Sequence, residues 1–144
     1  MSAIQIAAQD AFELLKNDQN SVLVDVRTAE EFNFVGFPNA SEFNNRLIFL
    51  PWQVFPEMNE NPKFASILNE SLKKLFGENA KEAKIIFICR SGGRSAQAAE
   101  YAIDLGYDNC YNLISGFEGD LNSQGHRGKN VKSSVEQAPK NLFF

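Results

Sequence analysis

The fold is decided by residues 84–95, which read KIIFICRSGGRS. After Lys84 come four apolar residues, 85–88, a pattern typical of a short strand buried on both faces of a parallel sheet. Cys89 follows directly, and Gly92 and Gly93 allow a sharp turn whose backbone N–H groups point inward. Small residues at helical spacing come next, so the cysteine is expected between the end of a buried strand and the beginning of a helix.

A cysteine in this position can react as a thiolate, which is the nucleophilic form of a thiol. The positive end of the following helix stabilises an anion by about 0.3–1 kcal/mol. Arg90 and Arg94 add two full positive charges, and arginine can bind an incoming anion with paired hydrogen bonds. A lone cysteine after a strand is commonly only a small buried apolar group, but these neighbours favour a nucleophile. Cys89 is therefore the candidate catalytic residue.

Strand and helix patterns alternate along the rest of the chain. The predicted strands are residues 4–6, 21–26, 41–43, 84–88 and 110–114, and the predicted helices are residues 7–16, a short helix capped by Thr28, and residues 63–76 and 94–105. This alternation predicts a parallel sheet covered by helices on both faces. In such sheets the working groups collect at the carboxyl ends of the strands.

Asp25 and Arg27 lie at a second strand end and are the predicted supporting residues of the site. Asp25 is interpreted as a structural anchor that accepts hydrogen bonds from the cysteine loop or from Arg94. Arg27 fits a supporting role and an ordinary surface cation equally well. Thr28 and Glu31, three residues apart, predict a capping box at the N-terminus of the next helix.

Residues 44–62 are rich in aromatic side chains, interrupted by prolines and only weakly periodic. The segment is longer and more apolar than an ordinary connection. Phe49, Trp52 and Phe55 are expected in the core or at an interface. We interpret the segment as a cover over the candidate active site or as a dimer contact.

Composition narrows the class of protein further. The 144 residues fit one domain, and the net charge of −4 argues against general nucleic-acid binding. No run approaches the roughly 20 apolar residues of a membrane span, and the N-terminus lacks a signal-peptide pattern. A cytoplasmic location with free thiols is expected. The other cysteine, Cys110, is expected to be a core thiol, and the two cysteines and His126 are too widely separated to predict a metal site.

Three segments resemble, in order and spacing, the rhodanese-like sulfurtransferase domains: residues 25–32 (DVRTAEEF), 89–95 (CRSGGRS) and 114–119 (ISGFEG). The resemblance covers residues 1–121 and leaves residues 122–144 as a polar, partly irregular C-terminal tail. It implies a rhodanese-like three-layer α/β/α fold with a five-stranded parallel sheet.

The resemblance also implies a sulfurtransferase of the thiosulfate type. In that family a cysteine accepts sulfane sulfur from a donor such as thiosulfate, holds it as a persulfide and passes it to cyanide or another thiol. The match makes Cys89 the nucleophile. It assigns binding of the donor and stabilisation of the persulfide to the loop residues Arg90, Ser91, Gly92, Gly93, Arg94 and Ser95.

The partners implied are a small anionic sulfur donor, a thiol or cyanide acceptor, and a protein sulfur acceptor as an alternative. No metal or organic cofactor is implied. Neither a nucleic acid nor a membrane is expected as a partner, and the chain is expected to be a monomer or a homodimer.

Two other functions stay open. A persulfide carrier or regulatory module that docks on a partner protein would use the same cysteine, because the fold and loop do not choose the acceptor. A cysteine-based phosphatase or arsenate reductase is less favoured. The loops of those families place five residues between cysteine and arginine, whereas four lie between Cys89 and Arg94. The shorter loop suits a single sulfur atom better than a tetrahedral phosphate.

Overall fold

The computed structural model describes residues 2–54, 57–114 and 116–117. In chain order the elements are β1 Ile4–Ile6, α1 Ala8–Asn17, β2 Ser21–Asp25, α2 Ala29–Val35, β3 Leu47–Phe49, β4 Gln53–Val54, β5 Asn59–Glu60, α3 Phe64–Phe76, β6 Lys84–Ile88, α4 Gly93–Asp104 and β7 Cys110–Leu113. Short 3-10 helices span Ser41–Phe43 and Gly77–Glu82. Apart from residues 41–43, the predicted elements with stated bounds agree with these to within one residue at each end.

The main sheet has the strand order β1-β7-β6-β2-β3, and every neighbouring pair is parallel. The neighbouring strands β2 and β6 are in a register that pairs Asp25 with Ile88. Cys89, Asp25 and Arg27 therefore come to the same edge of the sheet, as the parallel topology predicts. The predicted five-stranded parallel sheet is confirmed.

The core lies on both faces of the sheet because alternate residues of the central strands point in opposite directions. Val24 and Phe87 belong to the cluster that includes α3 and α4, whereas Leu23 and Ile86 belong to the cluster that includes α1. Both faces of β2 and β6 are thus buried, which explains their continuous apolar sequences. The three layers are α, β and α, as the resemblance implies.

The prediction of a strand at residues 41–43 is wrong. Ser41–Phe43 forms a 3-10 helix, and Asn44 and Asn45 follow with positive φ values of 58° and 57°. Asparagine tolerates this left-handed region better than most residues, and the resulting turn ends any extended run. The edge strand β3 begins only at Leu47, within the aromatic segment 44–62.

The described aromatic residues of segment 44–62, Phe49 and Trp52, pack against other residues of the domain. Trp52 is buried, lies edge-on to Phe64 with ring centroids 5.0 Å apart, and donates its indole N–H to Oε1 of Gln97 at 3.0 Å. Trp52 is therefore a core residue rather than part of a cover over the site. Phe49 lies against Phe32, with ring centroids 4.3 Å apart, and Phe55 falls outside the described residues.

The predicted tail, residues 122–144, lies outside the described residues, as does His126. The domain boundary at residue 121 therefore stays a prediction. In the part of the chain that the structure describes, none of the helices combines the length and apolar character needed to cross a bilayer. The cytoplasmic location and the oligomeric state also stay predictions.

Candidate active site

Cys89 follows β6 and lies against the first turn of α4. Its sulfur accepts a hydrogen bond from the backbone N–H of Gly92 at 3.1 Å, and the Ser95 hydroxyl oxygen lies 3.3 Å from it. Gly92 is the N-cap of α4 and has a φ of 107°, a conformation that side chains strongly disfavour. The first N–H groups of a helix have no partner within the helix, so the glycine turn directs one of them at the sulfur.

This arrangement surrounds a buried thiol with groups that favour negative charge. Cys89 is only 1% exposed, so its hydrogen bonds and the dipole of α4 act with little screening by water. The N-terminus of a helix carries a partial positive charge, and the Gly92 N–H points at the atom that would become negative. The geometry is suited to a thiolate and to the sulfur species formed from it.

Two residues that follow β7 support the loop from beneath. The Phe117 N–H donates to the Cys89 carbonyl oxygen at 2.7 Å. Gly116 has a φ of 59°, and a Cβ built there would lie 2.4 Å from the same oxygen and 2.7 Å from the Arg90 carbonyl group. Only glycine permits this approach, which gives the ISGFEG segment a physical role at the site. Residues 115 and 118–119 of that segment lie outside the described residues.

Asp25 and Arg27 form a buried ion pair beside the loop. Arg27 donates from Nη2 to Oδ2 of Asp25 at 2.7 Å and from Nε to Oδ1 at 3.0 Å. Nη2 also donates to the Gly36 carbonyl at 2.7 Å, and the guanidinium lies 4.2 Å from the Phe117 ring centroid. Arg27 is 1% exposed, so the surface-cation alternative is wrong. Asp25 accepts hydrogen bonds from Arg27, whereas the expected donor Arg94 binds elsewhere, so the role of Asp25 as an anchor for the cysteine loop stays a prediction.

Arg94 instead reaches across to α2, where it binds Glu31. Its Nη1 and Nη2 donate to the two carboxylate oxygens at 2.6 and 2.9 Å. Glu31 also completes the predicted capping box, since its side chain accepts from the Thr28 N–H and its own N–H donates to the Thr28 hydroxyl. One carboxylate thus caps α2 and fixes the arginine of the cysteine loop.

The charge of Glu31 is maintained by this pairing. Burial alone would raise its pKa, but hydrogen bonds from Arg94 and from the Thr28 N–H, with the positive charge of Arg94, outweigh burial and lower the pKa to about 2. The same interaction raises the pKa of Arg94. Both groups are therefore ionised across the physiological range, and the positive charge of Arg94 is largely compensated.

A cavity of about 210 Å³ opens beside the loop. Its lining consists of Arg27, Glu31, Val35, Arg90 and Phe117. Phe34 and Phe37, which neighbour Val35 in the chain, are also exposed, Phe34 to 86%. The cavity lining itself combines charged side chains with the apolar side chains of Val35 and Phe117.

The structure brings most of the predicted site residues to one place. Gly92 and Ser95 contact the sulfur, Gly93 begins α4, and Arg90 lines the cavity. Sequence reasoning missed Glu31 as a site residue, because the capping-box pattern already accounted for it. Among the residues that the structure describes, no three His, Cys, Asp or Glu side chains are grouped so that they could hold a metal ion.

The fold and the site together define a class of α/β domain in which a thiol lies between a central parallel strand and the N-terminus of a helix. Within that class, the model of the rhodanese-like domain family matches residues 8–122. The chain belongs to the rhodanese-like family, which confirms the resemblance seen in the sequence.

Known proteins resemble the chain over most of its length. An uncharacterized protein of Rickettsia conorii is 39% identical over 131 residues, which cover 91% of this chain and 97% of that protein. The crystal structure of Rv0390 from M. tuberculosis has a TM-score of 0.71 at 35% identity and covers 89% of each chain. The thiosulfate sulfurtransferase GlpE of Actinobacillus succinogenes is 27% identical over 119 residues, 83% of this chain and 85% of that protein. The family and its distant sulfurtransferase relatives support a sulfur-transfer role for the domain.

Proposed function

We propose that the protein is a sulfurtransferase that moves sulfane sulfur from a small anionic donor, such as thiosulfate, to cyanide or a thiol. The observation that carries the proposal is the hydrogen bond of 3.1 Å from the Gly92 N–H to the Cys89 sulfur at the N-terminus of α4. Fixed N–H groups aimed at the position of developing charge stabilise it without reorganisation during the reaction. Cys89 is the nucleophile in this proposal.

The proposed reaction has two steps. The Cys89 thiolate attacks the outer sulfur of thiosulfate, the S–S bond of the donor breaks with its electron pair on the departing sulfite, and a persulfide anion remains on Cys89. The acceptor then attacks the terminal sulfur and displaces the Cys89 thiolate, which yields thiocyanate from cyanide or a new persulfide from a thiol. The loop carries negative charge on sulfur at both stages, so one set of donors serves both.

The loop residues divide the work in this proposal. Arg90 lines the cavity, and in this proposal it binds the oxygens of the donor. Arg94 is held by Glu31 and acts through its charge and position rather than as the main ligand of the donor. Ser91 and Gly93 contribute to the turn, and the Ser95 hydroxyl forms a hydrogen bond with the Cys89 sulfur.

One observation favours the second candidate function, a persulfide carrier that docks on a partner protein. Arg27 and Arg94 are each paired with a carboxylate, which reduces the positive charge available to a dianion such as thiosulfate. The cavity is lined in part by Val35 and Phe117, and Phe34, which precedes Val35 in α2, is highly exposed. A thiol presented by a protein or by an apolar molecule would suit such a lining.

Intact-mass spectrometry tests the proposal. The reduced protein is incubated with thiosulfate, desalted and weighed, and then exposed to cyanide. Wild type and the matched variant Cys110→Ser are expected to gain about 32 Da, one sulfur atom, and to lose it as thiocyanate. Cys89→Ser is expected to gain nothing while keeping its fold.

The alternatives give different outcomes in the same experiment. A stable adduct on Cys89 with negligible cyanide turnover would favour the carrier. Absence of the adduct, or its appearance on Cys110, would contradict the proposed mechanism. Hydrolysis of an aryl phosphate faster than transfer from thiosulfate would instead favour the phosphatase.

A further inference from the structure

A buried polar side chain on β7 reaches the active-site serine. Asn112 is 5% exposed, and its Oδ1 lies 2.5 Å from the Ser95 hydroxyl oxygen. Its Nδ2 lies 3.0 Å from Oε1 of Gln5, an exposed residue on β1. Since the Ser95 oxygen is also 3.3 Å from the Cys89 sulfur, hydrogen-bonding groups form a continuous chain from the surface to the thiol.

The hydrogen bonds from Gln5 through Asn112 and Ser95 to Cys89 can run in either of two directions, depending on which group donates at each step. The Ser95 hydroxyl has one proton, and while that proton is donated to Asn112 the serine can only accept a hydrogen bond from the Cys89 thiol. A thiolate has no proton to donate, so its hydrogen bond with Ser95 persists only if the hydroxyl proton turns toward the sulfur. For the hydrogen bond between Ser95 and Asn112 to persist as well, Asn112 must then present a donor to the serine oxygen.

The carboxamides of Asn112 and Gln5 can meet this requirement without moving the backbone. The oxygen and nitrogen of a carboxamide have nearly the same size, so a rotated amide occupies the same space with donor and acceptor exchanged. In the rotated state Gln5 donates to Asn112, Asn112 donates to Ser95, and Ser95 donates to the sulfur. Every buried polar group keeps a partner in both directions.

We propose that Asn112 is a positioning residue that holds the Ser95 hydroxyl at the Cys89 sulfur, with the direction of the Gln5–Asn112–Ser95 chain following the charge of that sulfur. The thiol corresponds to one direction and the thiolate to the other. In this proposal the thiol proton of Cys89 leaves to solvent when the thiolate forms. The inference rests on the proposed function only in taking Cys89 as the reacting group.

Substitutions that leave only acceptors in the chain test the proposal. Asn112→Asp keeps the shape of the side chain, but a carboxylate cannot donate to Ser95 and holds the hydroxyl proton away from the sulfur. The readout is the pH midpoint of Cys89 alkylation by iodoacetamide, measured by mass spectrometry. We expect the midpoint to rise by about one pH unit in Asn112→Asp.

The new negative charge alone would also raise the midpoint, so the serine must be removed in parallel. In a Ser95→Ala background the same substitution is expected to shift the midpoint by less than half as much, because the hydroxyl that transmits the effect is gone. Asn109→Asp, the same change just before β7, is the matched control and should leave the midpoint unchanged. The surrounding charged groups, which are Arg90 in the loop, Arg94 with Glu31, and Asp25 with Arg27, are the same in every variant.

Gln5→Glu tests the outer end of the chain at an exposed position where folding is not at risk. Its carboxylate only accepts, so it keeps Nδ2 of Asn112 turned outward and the Ser95 proton turned away from the sulfur. A smaller rise of the midpoint that disappears in Ser95→Ala is expected. Equal shifts with and without the serine, or no shift in either variant, would overturn the proposal.

Alkylation reports the thiolate directly and does not depend on sulfur transfer. A protein with the expected shifts but no persulfide would therefore refute the proposed function and leave this inference intact. A persulfide-forming protein without the shifts would do the reverse.

Discussion

The two cysteines are equally buried, each 1% exposed, yet their surroundings are opposite. Cys89 lies beyond the carboxyl end of β6, whereas Cys110 begins the neighbouring parallel strand β7 at the other edge of the sheet. The sulfur of Cys89 accepts from the Gly92 N–H, whereas the thiol of Cys110 donates to the Tyr107 carbonyl at 3.1 Å.

Both cysteines lie near α4, but at opposite ends of it. Cys89 is at the N-terminus of α4, where N–H groups are available. Cys110 is hydrogen-bonded to the Tyr107 carbonyl, just after the C-terminus of α4. Burial raises the pKa of the Cys110 thiol to about 12, and the negative charges of Asp108 and Glu100 act in the same direction. Burial by itself therefore does not distinguish the two cysteines, which differ in the groups that the two ends of α4 bring to the sulfur.

The largest effect that can test this comparison is the difference in reactivity of the two thiols. With a pKa of about 12, Cys110 is a thiolate in about one molecule in ten thousand at pH 8. Native protein is expected to take up one equivalent of iodoacetamide on Cys89, at least about a thousandfold faster than on Cys110. Peptide mapping after timed alkylation measures both rates, and denaturant should release the second thiol. Faster labelling of Cys110 in the native protein would break the comparison.

A smaller effect is expected from the positive charge beside Cys89. Arg94→Ala removes that charge and leaves the Glu31 carboxylate without its partner at the site. Sulfur transfer from thiosulfate is expected to fall about tenfold, which corresponds to about 1.4 kcal/mol in the barrier. Lys81→Ala is the matched control, since Lys81 is a cation at the Cys110 end, where its Nζ donates to the Leu105 carbonyl. A similar loss in both variants would show that the effect is not local to Cys89.

The smallest effect concerns stability against acid. The pKa of Glu31 is about 2 in the folded protein and 4.5 without the fold, so its contribution is present above about pH 4.5 and is lost as the pH falls through about 2. Urea unfolding of wild type and Glu31→Gln should therefore show a stability difference at neutral pH that shrinks between about pH 4.5 and 2. Glu30→Gln, at an exposed neighbouring position, controls for the removal of a charge. A difference that stays constant over this range would contradict the assignment.

Local patterns predicted much of the fold. Residues 85–88 have the apolar sequence of a buried strand, and the strand, Lys84–Ile88, has the predicted bounds. The glycines after Cys89 predict the turn that precedes α4. The capping box of Thr28 and Glu31 is confirmed for the same reason, since its partners are three residues apart. The error at residues 41–43 arose where two asparagines adopt the left-handed region, which no periodicity signals.

The sequence predicts only part of the candidate site, because the remaining interactions join residues that are far apart in the chain. Arg94 and Glu31 are 63 residues apart in the chain, and Ser95 and Asn112 are 17 apart. Glycine is required at position 116 because the backbone there lies very close to the backbone of the cysteine loop, and a sequence pattern does not reveal this contact. Each of these interactions depends on how the strands are ordered in the sheet.

By itself, the sequence determined the alternation of strands and helices, the position of Cys89 at a strand end and the turn that directs an N–H group at it. These features depend on side-chain periodicity and backbone conformation within a few residues. The tertiary structure decided that Arg94 is paired with Glu31, that Arg27 is buried on Asp25, and that a polar chain from Gln5 reaches the sulfur. The reason is that parallel strands join through crossovers, which bring residues far apart in the chain to one edge of the sheet.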